Sequence, residues 1–298
     1  MSFIIFVVLS FIFYKYFNLK IKYCILENEN KNLKIYKKSP KIIAISYGNE
    51  MYQRQLAWNK KSALEIGKVD EHYSFGPNDI DLQFKEQNKI ILSQKRGNGY
   101  WLWKSYFLLK TLKEKLNDGD YIIYTDAAIL YMNSTYQIIE FMKEQNAEMW
   151  AIQLPDCIEK KWTKRDAFIL LNADTPFFSN SLQYMAGIQI YKKSKFTEKF
   201  LEELLYYSQD KRIITDLPNT LGKPNYIEFT DHRHDQSILS LLIKKYGLVN
   251  SNKTNVIINK IERSKILMPF IFCIYRRRGF IDYNDVRNKC VNLIQKRN

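Results

Sequence analysis

The sequence predicts an α/β protein: a central, mostly parallel sheet flanked by helices. Three observations carry that prediction. Between Lys41 and Gly247, short apolar runs too dense to be exposed alternate with helical patterns, as expected of βα units. One of these runs, Tyr121 to Tyr124, delivers a lone acid, Asp126, at its C-terminal edge, the place where open α/β sheets bind ligands. And a chain of 298 residues, 46% apolar and 26% charged, can bury a full core in one large domain or one domain plus a small lobe.

The elements follow in chain order. Residues Phe3 to Phe13 are apolar except for Ser10, and Tyr14, Tyr16 and Phe17 extend the run past Lys15. That makes roughly 15 membrane-compatible residues, near the short limit of a spanning helix. The expectation is an N-terminal membrane anchor over residues 1–17, with a buried core helix as the alternative. No positive segment precedes the run and no small-residue site follows it, which argues against a cleaved signal peptide. Lys15, Lys20 and Lys22 lie at or beyond its end, so the positive-inside bias predicts a cytoplasmic catalytic domain. A Golgi-type lumenal orientation is the alternative. Residues 18–39, rich in Asn, Lys and Glu, read as a stalk, and 40–298 as the main domain with a basic extension from about 250.

Within that domain, Lys41 to Asn49 reads as a first buried strand ending in Tyr-Gly-Asn, and Glu50 to Gly67 as a helix closed by its glycine. Val69 to Asp79 returns as a short strand into a Gly-Pro turn. From Lys89 the pattern is strand, glycine turn, aromatic-opened helix, Asn-Asp-Gly-Asp turn, then the strand ending at Tyr124. Thr135 to Gln145 and Thr197 to Gln209 look helical. Glu148 to Leu154 and the alternating Tyr184 to Tyr191 look like strands, and Asp235 opens a further helix closed by Gly247.

Four stretches offer chemistry. Asp126 suits a nucleotide's ribose or a metal, or simply caps a turn. Arg96, Gly97, Asn98 and Gly99 lead into a helix whose first turns carry Lys104. Glycines, backbone N–H groups and a cation make a candidate diphosphate cradle, although the P-loop spacing is absent. Trp101 and Trp103 serve that site or pack the helix on the sheet. Lys164, Arg165 and Asp166 beside Trp162 suit anionic substrate recognition, or form a solvated charge run. His232, Arg233, His234 and Asp235 gather at a helix start. There an imidazole completes a metal shell or bonds a departing phosphate, and Asp235 acts as general base or as an ordinary N-cap.

The formal charge of +15 implies an anionic partner. Scattered lysines and the lack of a recognition motif disfavour nucleic acid. Arg276 to Arg278, after an apolar segment, suggest anionic lipid headgroups or a basic solvated surface. Cys24, Cys157, Cys273 and Cys290 form no C-x-x-C pair, so the expectation is reduced, buried thiols without structural zinc.

Taken together, "GYWLWKSYFLLKTL", "GDYIIYTDAA", "WTKRD", "AGIQIYKKS" and "HRHDQSILSLL" resemble GT-A-type glycosyltransferases of bacterial and viral capsular or lipopolysaccharide type, over roughly Lys41 to Gly247. The resemblance implies a GT-A-like fold of Rossmann type. It implies transfer of a sugar, hexosyltransferase-like, from a nucleotide-sugar donor to a glycan or lipid-linked acceptor in polysaccharide biosynthesis. It places base and ribose at Tyr47 and Gly48, the sugar at Ala186 and Gly187, and the rest of the donor on Arg96, Lys104, Asp126, Lys164 and Arg165. The family's D-x-D motif grips Mn²⁺ or Mg²⁺. Here the second acid is Ala128, so the resemblance implies either that His232 or His234 joins Asp126 as ligand, or that Lys104 and Arg165 replace the metal's charge. If the reaction inverts, Asp235 is the candidate base. A catalytically inactive glycan- or membrane-binding protein and a sugar nucleotidyltransferase are the competing readings.

Overall fold

The computed structural model describes residues 39–249, 257–258, 271–275 and 282–295. The expected anchor, nearly all of the stalk, Cys24 and Arg276 to Arg278 lie outside them. Among the described residues no helix is long and apolar enough to cross a membrane. The chain divides between Ser39 and Pro40, and the sheet belongs to the unit that begins at Pro40.

Six strands form that sheet: β1 (Ile42–Tyr47), β2 (Glu71–Phe75), β3 (Tyr121–Thr125), β5 (Met149–Trp150), β8 (Ile188–Lys192) and β9 (Ile257–Ile258), in the order β2-β1-β3-β8-β5-β9. β1 pairs in parallel with β2 and β3, and β5 with β9, whereas β8 runs antiparallel to both β3 and β5. The sheet is therefore mixed. The expected strand Tyr184 to Tyr191 is broken: β7 (Leu182–Tyr184) pairs with β6 (Gln153–Ile158) in a separate ribbon, and Ala186 and Gly187 lie in the gap before β8. Glu148 to Leu154 splits in the same way, into β5 and the start of β6. Lys89–Leu92, read as apolar strand, is a helical turn with only Ile91 buried.

Alternation along the strands builds two cores. Ile43, Ile45 and Tyr47 of β1 and Ile122 and Tyr124 of β3 face helices α2 (Leu102–Lys115), α5 (Lys195–Ser208) and α7 (Asp235–Val249). Ile42, Ala44, Tyr121 and Ile123 face the other way, toward helix α3 (Tyr136–Glu144) and Ala63 of α1 (Gln53–Glu65). Ser194 caps α5 by accepting from the Thr197 N–H, and the Thr197 hydroxyl accepts from Ser194 N–H in return. Gly67 is fixed by crowding, since a Cβ there would lie 2.6 Å from Tyr131 Cδ1. Helix α7 continues through Gly247 to Val249 rather than closing there.

A third, small cluster gathers Leu130, Cys273, Tyr275, Val286 and Cys290. Strand β10 (Phe272–Ile274) pairs antiparallel with β4 (Ile129–Tyr131), and Cys273 is disulfide-bonded to Cys290 of helix α8 (Tyr283–Gln295). This corrects the expectation of reduced thiols throughout. A pair joined by folding leaves no local spacing signal in the sequence. Cys157 is half-buried and takes no part in that disulfide.

Candidate functional site

β1 leads out to β2 on one side, and the chain then returns to form β3 on the other. That reversal makes the carboxyl ends of β1 and β3, where Tyr47 and Asp126 lie, a topological switch point, the place where open α/β sheets bind ligands. Because β8 is antiparallel, its beginning, not its end, meets this edge and brings Gly187 beside Asp126.

Asp126 is held closely through its backbone and loosely through its side chain. Its N–H donates to the Gly187 carbonyl at 2.9 Å, and its carbonyl accepts from Ile129 N–H at 3.1 Å. Tyr124 Oη donates to Oδ1 at 2.6 Å, yet the side chain remains 49% exposed. Oδ2 faces Gly187, where an added Cβ would come within 2.9 Å of it. Gly187 thus keeps clear space before the carboxylate.

Lys104, in the first turn of α2, is buried and joins the two acids. Its ammonium lies 2.5 Å from Asp235 Oδ2 and 3.6 Å from Asp126 Oδ1, and donates to the Ala186 carbonyl at 3.3 Å. Burial pushes the ammonium's pKa down, but the two carboxylates outweigh it and the net shift is upward. Burial raises Asp235, with Lys104 partly offsetting it. Two carboxylates and one ammonium carry one net negative charge, so Lys104 is an internal counter-ion before any diphosphate arrives. Asp235 is the first residue of α7.

The other expected site residues are engaged within the protein. Tyr47 stacks on Trp103 at 3.8 Å and its hydroxyl meets the Asn98 amide. Gly48 donates its N–H to the Phe75 carbonyl at 3.0 Å. Residues 97 to 101 all have positive φ: 58°, 52°, 94°, 51° and 61°. Three of them are not glycine, and each left-handed residue of that kind costs about 1–2 kcal/mol. The turn is held by Trp103 Nε1 donating to the Gly97 carbonyl at 2.9 Å and by the rings of Tyr100 and Trp101 on His234, at 4.9 and 5.4 Å. A Cβ on Gly97 would strike the Trp101 indole at 2.4 Å, and one on Gly99 the Leu92 backbone at 2.9 Å. The glycines thus admit the protein's own atoms. Arg96 bridges Asp216 and Asp231, each at 2.9 Å.

Lys164 is buried with its amine on the Leu217 carbonyl, and desolvation lowers its pKa. Arg165 donates to Asp174 at 3.1 Å and lies 3.9 Å over Tyr226. Asp166 is fully buried and accepts from Thr220 N–H and Oγ1 and from Leu221 N–H at 2.7, 3.1 and 3.2 Å.

The histidines do not join Asp126 as a ligand set. His232 accepts from Lys164 N–H at Nδ1 (3.2 Å) and donates from Nε2 to Ile213 (2.6 Å), and burial holds its pKa well below the usual imidazole value. His234 donates from Nδ1 to the Ile214 carbonyl at 2.8 Å, with Nε2 buried 3.6 Å from Asp216. Among the described residues no group of three His, Cys, Asp or Glu side chains could hold a metal. With Asp235 on Lys104 and Ala128 in the second acid's place, the Mn²⁺ or Mg²⁺ implied by the resemblance does not fit a protein-built cage here.

Several partners of this site were missed from sequence. Gln236 Oε1 accepts from Ala186 N–H at 3.3 Å, and its amide donates to Gln183 at 2.8 Å. Gln183 reaches Glu159 at 3.0 Å, a fully buried carboxylate that also takes Lys244 at 2.6 Å and Thr163 at 2.6 Å. Asn59, buried on α1, bonds the turn at Asp126. The only trace of such residues in the sequence is a polar side chain on a face that is otherwise apolar.

No protein-family model and no curated protein sequence matches this one. Among solved structures, the chain is similar to the apo form of the bifunctional glycosyltransferase WbbM, with 13% identity and a TM-score of 0.40, over 70% of this chain and 38% of that one. It therefore spans well under half of WbbM's length. It is also similar to the galactosyltransferase LgtC in complex with donor and acceptor sugar analogues (12% identity, TM-score 0.41, 85% of this chain and 95% of that). A third is a glycosyltransferase involved in glycosylating the major capsid of PBCV-1 (8%, 0.40, 84% and 100%). Likeness at this level transfers no residue role.

Proposed function

We propose that this chain is a hexosyltransferase-like enzyme of polysaccharide biosynthesis, moving a sugar from a nucleotide-sugar donor to a glycan or lipid-linked acceptor at a membrane. The observation that carries the reading is the half-exposed carboxylate of Asp126 at the switch point between β1 and β3, cleared by Gly187 and joined through Lys104 to a second carboxylate, Asp235. The sequence resemblance falls on these same residues.

In this reading Asp126 accepts hydrogen bonds from the donor's ribose or sugar hydroxyls. Ala186 and Gly187 form the wall facing the sugar. Lys104 keeps the two acids together rather than serving as a free cation for the diphosphate. In an inverting reaction the acceptor hydroxyl attacks the anomeric carbon and its proton passes to Asp235. The anomeric C–O bond to the diphosphate breaks, and the nucleotide leaves with that electron pair. The Cys273–Cys290 disulfide favours an oxidising compartment, and so supports the lumenal orientation over the cytoplasmic one. Ala128 in place of a second acid favours the alternative of an inactive glycan-binding protein of the same architecture.

The test is thermal unfolding of the full chain with UDP-, GDP- and CMP-sugars, each with Mn²⁺ and with a chelator, followed by donor hydrolysis. A ligand at one hundred times its Kd adds about 2.7 kcal/mol of stability. Stabilisation by one nucleotide class together with hydrolysis supports the enzyme. Stabilisation without turnover selects the inactive protein of the same architecture, and no shift with any donor overturns the enzyme reading in favour of the glycan-binding one.

A further inference from the structure

We propose that Asn59 is a positioning residue for Asp126: it clamps the turn that aims the carboxylate, without touching the substrate itself. The proposal rests on the reading of Asp126 as the donor-contacting acid.

Asn59 lies on α1 and is fully buried. Its amide nitrogen donates to Thr125 Oγ1 at 2.8 Å and to the Ile129 carbonyl at 2.7 Å, with the Asp126 carbonyl at 3.4 Å. Three oxygens around one nitrogen fix the orientation of the amide. Its oxygen then accepts from His72 Nε2 at 2.8 Å, which leaves His72 Nδ1 to accept from the Ser74 hydroxyl at 3.3 Å. One side chain thus ties α1, β2, the end of β3 and the start of β4 to a single point.

That point is the turn of Asp126. Thr125 precedes the acid and Ile129 closes the turn, and Asn59 holds both. The Gly187 carbonyl fixes the acid's N–H from the opposite side at 2.9 Å. A half-exposed carboxylate has few side-chain contacts of its own, so its aim depends on the backbone beneath it. An amide buried only for stability would have no need to straddle this residue.

The test compares four variants of the full chain in hydrolysis of whichever of UDP-glucose, UDP-galactose, GDP-mannose or CMP-sialic acid the wild type turns over. Thr125→Val removes one clamp bond and keeps His72 satisfied, while Asn59→Leu removes all of them. Ser62→Ala is the control: Ser62 Oγ donates to the Asn59 backbone carbonyl at 2.9 Å and accepts from Tyr131 N–H at 3.1 Å, joining the same helix and strand without touching the Asn59 amide or the turn. Misplacing a reacting group by about 1 Å costs on the order of a hundredfold in rate. The expected result is a fall in kcat of about tenfold for Thr125→Val and more for Asn59→Leu, with donor KM changing by less than about threefold. Ser62→Ala loses thermal stability but keeps its kcat. The Asn59, Thr125 double variant is no slower than Asn59→Leu. Should Asn59→Leu fail to fold, Thr125→Val against Ser62→Ala decides the matter. A Thr125→Val protein with wild-type kcat overturns the proposal alone. A wild type that turns over no donor overturns the reading beneath it and the proposal with it.

Discussion

Asp126, a lone acid after an apolar run, and Asp166, in a charged one, both read from sequence as part of a substrate site. Their surroundings differ. Asp126 has one hydroxyl and one distant ammonium on Oδ1 and is half exposed. Asp166 is fully buried and takes three bonds from Thr220 and Leu221. Lys164 and Arg165 beside it are spent as well, Lys164 on the Leu217 carbonyl and Arg165 on Asp174 and the Tyr226 ring. An ionised side chain whose bonding capacity is filled by backbone is a fastener; one left half-filled beside a glycine can receive a ligand. Charge in a sequence marks either, and only the count of internal partners separates them.

The sharpest way to break this comparison is to remove each acid in turn. Asp126→Ala should cut donor turnover by about a thousandfold or more while leaving the melting temperature near that of the wild type. Asp166→Ala should do the reverse: it strands three donors, costs roughly 2–4 kcal/mol of stability, and leaves turnover per folded molecule within a few-fold. Equal effects of the two on turnover would dissolve the distinction. A related variant, Lys244→Met, leaves Glu159 buried without its counter-ion and should cost about 3–5 kcal/mol, read by denaturant unfolding.

The histidines provide a milder test of the same contrast. All three are buried, and burial lowers each: His72 to about 4, His232 well below the usual value, and His234 below it. The unfolded chain binds these protons near pH 6.5 and the folded one does not, so the unfolded state gains protons as pH falls. Stability should therefore be complete above about pH 6.5 and decline toward pH 4, by on the order of a few kcal/mol. A melting temperature flat between pH 7 and pH 5 would mean that these rings are not held neutral.

What was legible in the sequence is what depends on local pattern. The dense apolar runs of β1 and β3 announced buried strands, and Asp126 at the end of β3 followed directly. Strand direction was not legible, because a two-residue alternation is the same read either way; the expectation of a mostly parallel sheet carried no sign that β8 runs antiparallel to both its neighbours. Its break at Ala186 and Gly187 was also hidden, since small residues fit a strand as well as the gap that Lys104 and Asp126 fill. The disulfide and the Glu159–Lys244 pair join residues far apart in sequence, and neither has a local signature. Nor does the run of left-handed residues at 97–101: two glycines permit it, but Tyr100 and Trp101 adopt it only because His234 packs against them.

The pairing of β10 with β4 bears on how the chain is made. Strand β4 directly follows the turn of Asp126, and its partner is translated long afterwards, past the whole of α7. At ribosomal speeds of about 5–20 residues per second, that leaves an interval on the order of ten seconds. During it, β4, which follows the acid-bearing turn, waits without its partner strand, an invitation to a chaperone or to a neighbouring copy on the same polysome.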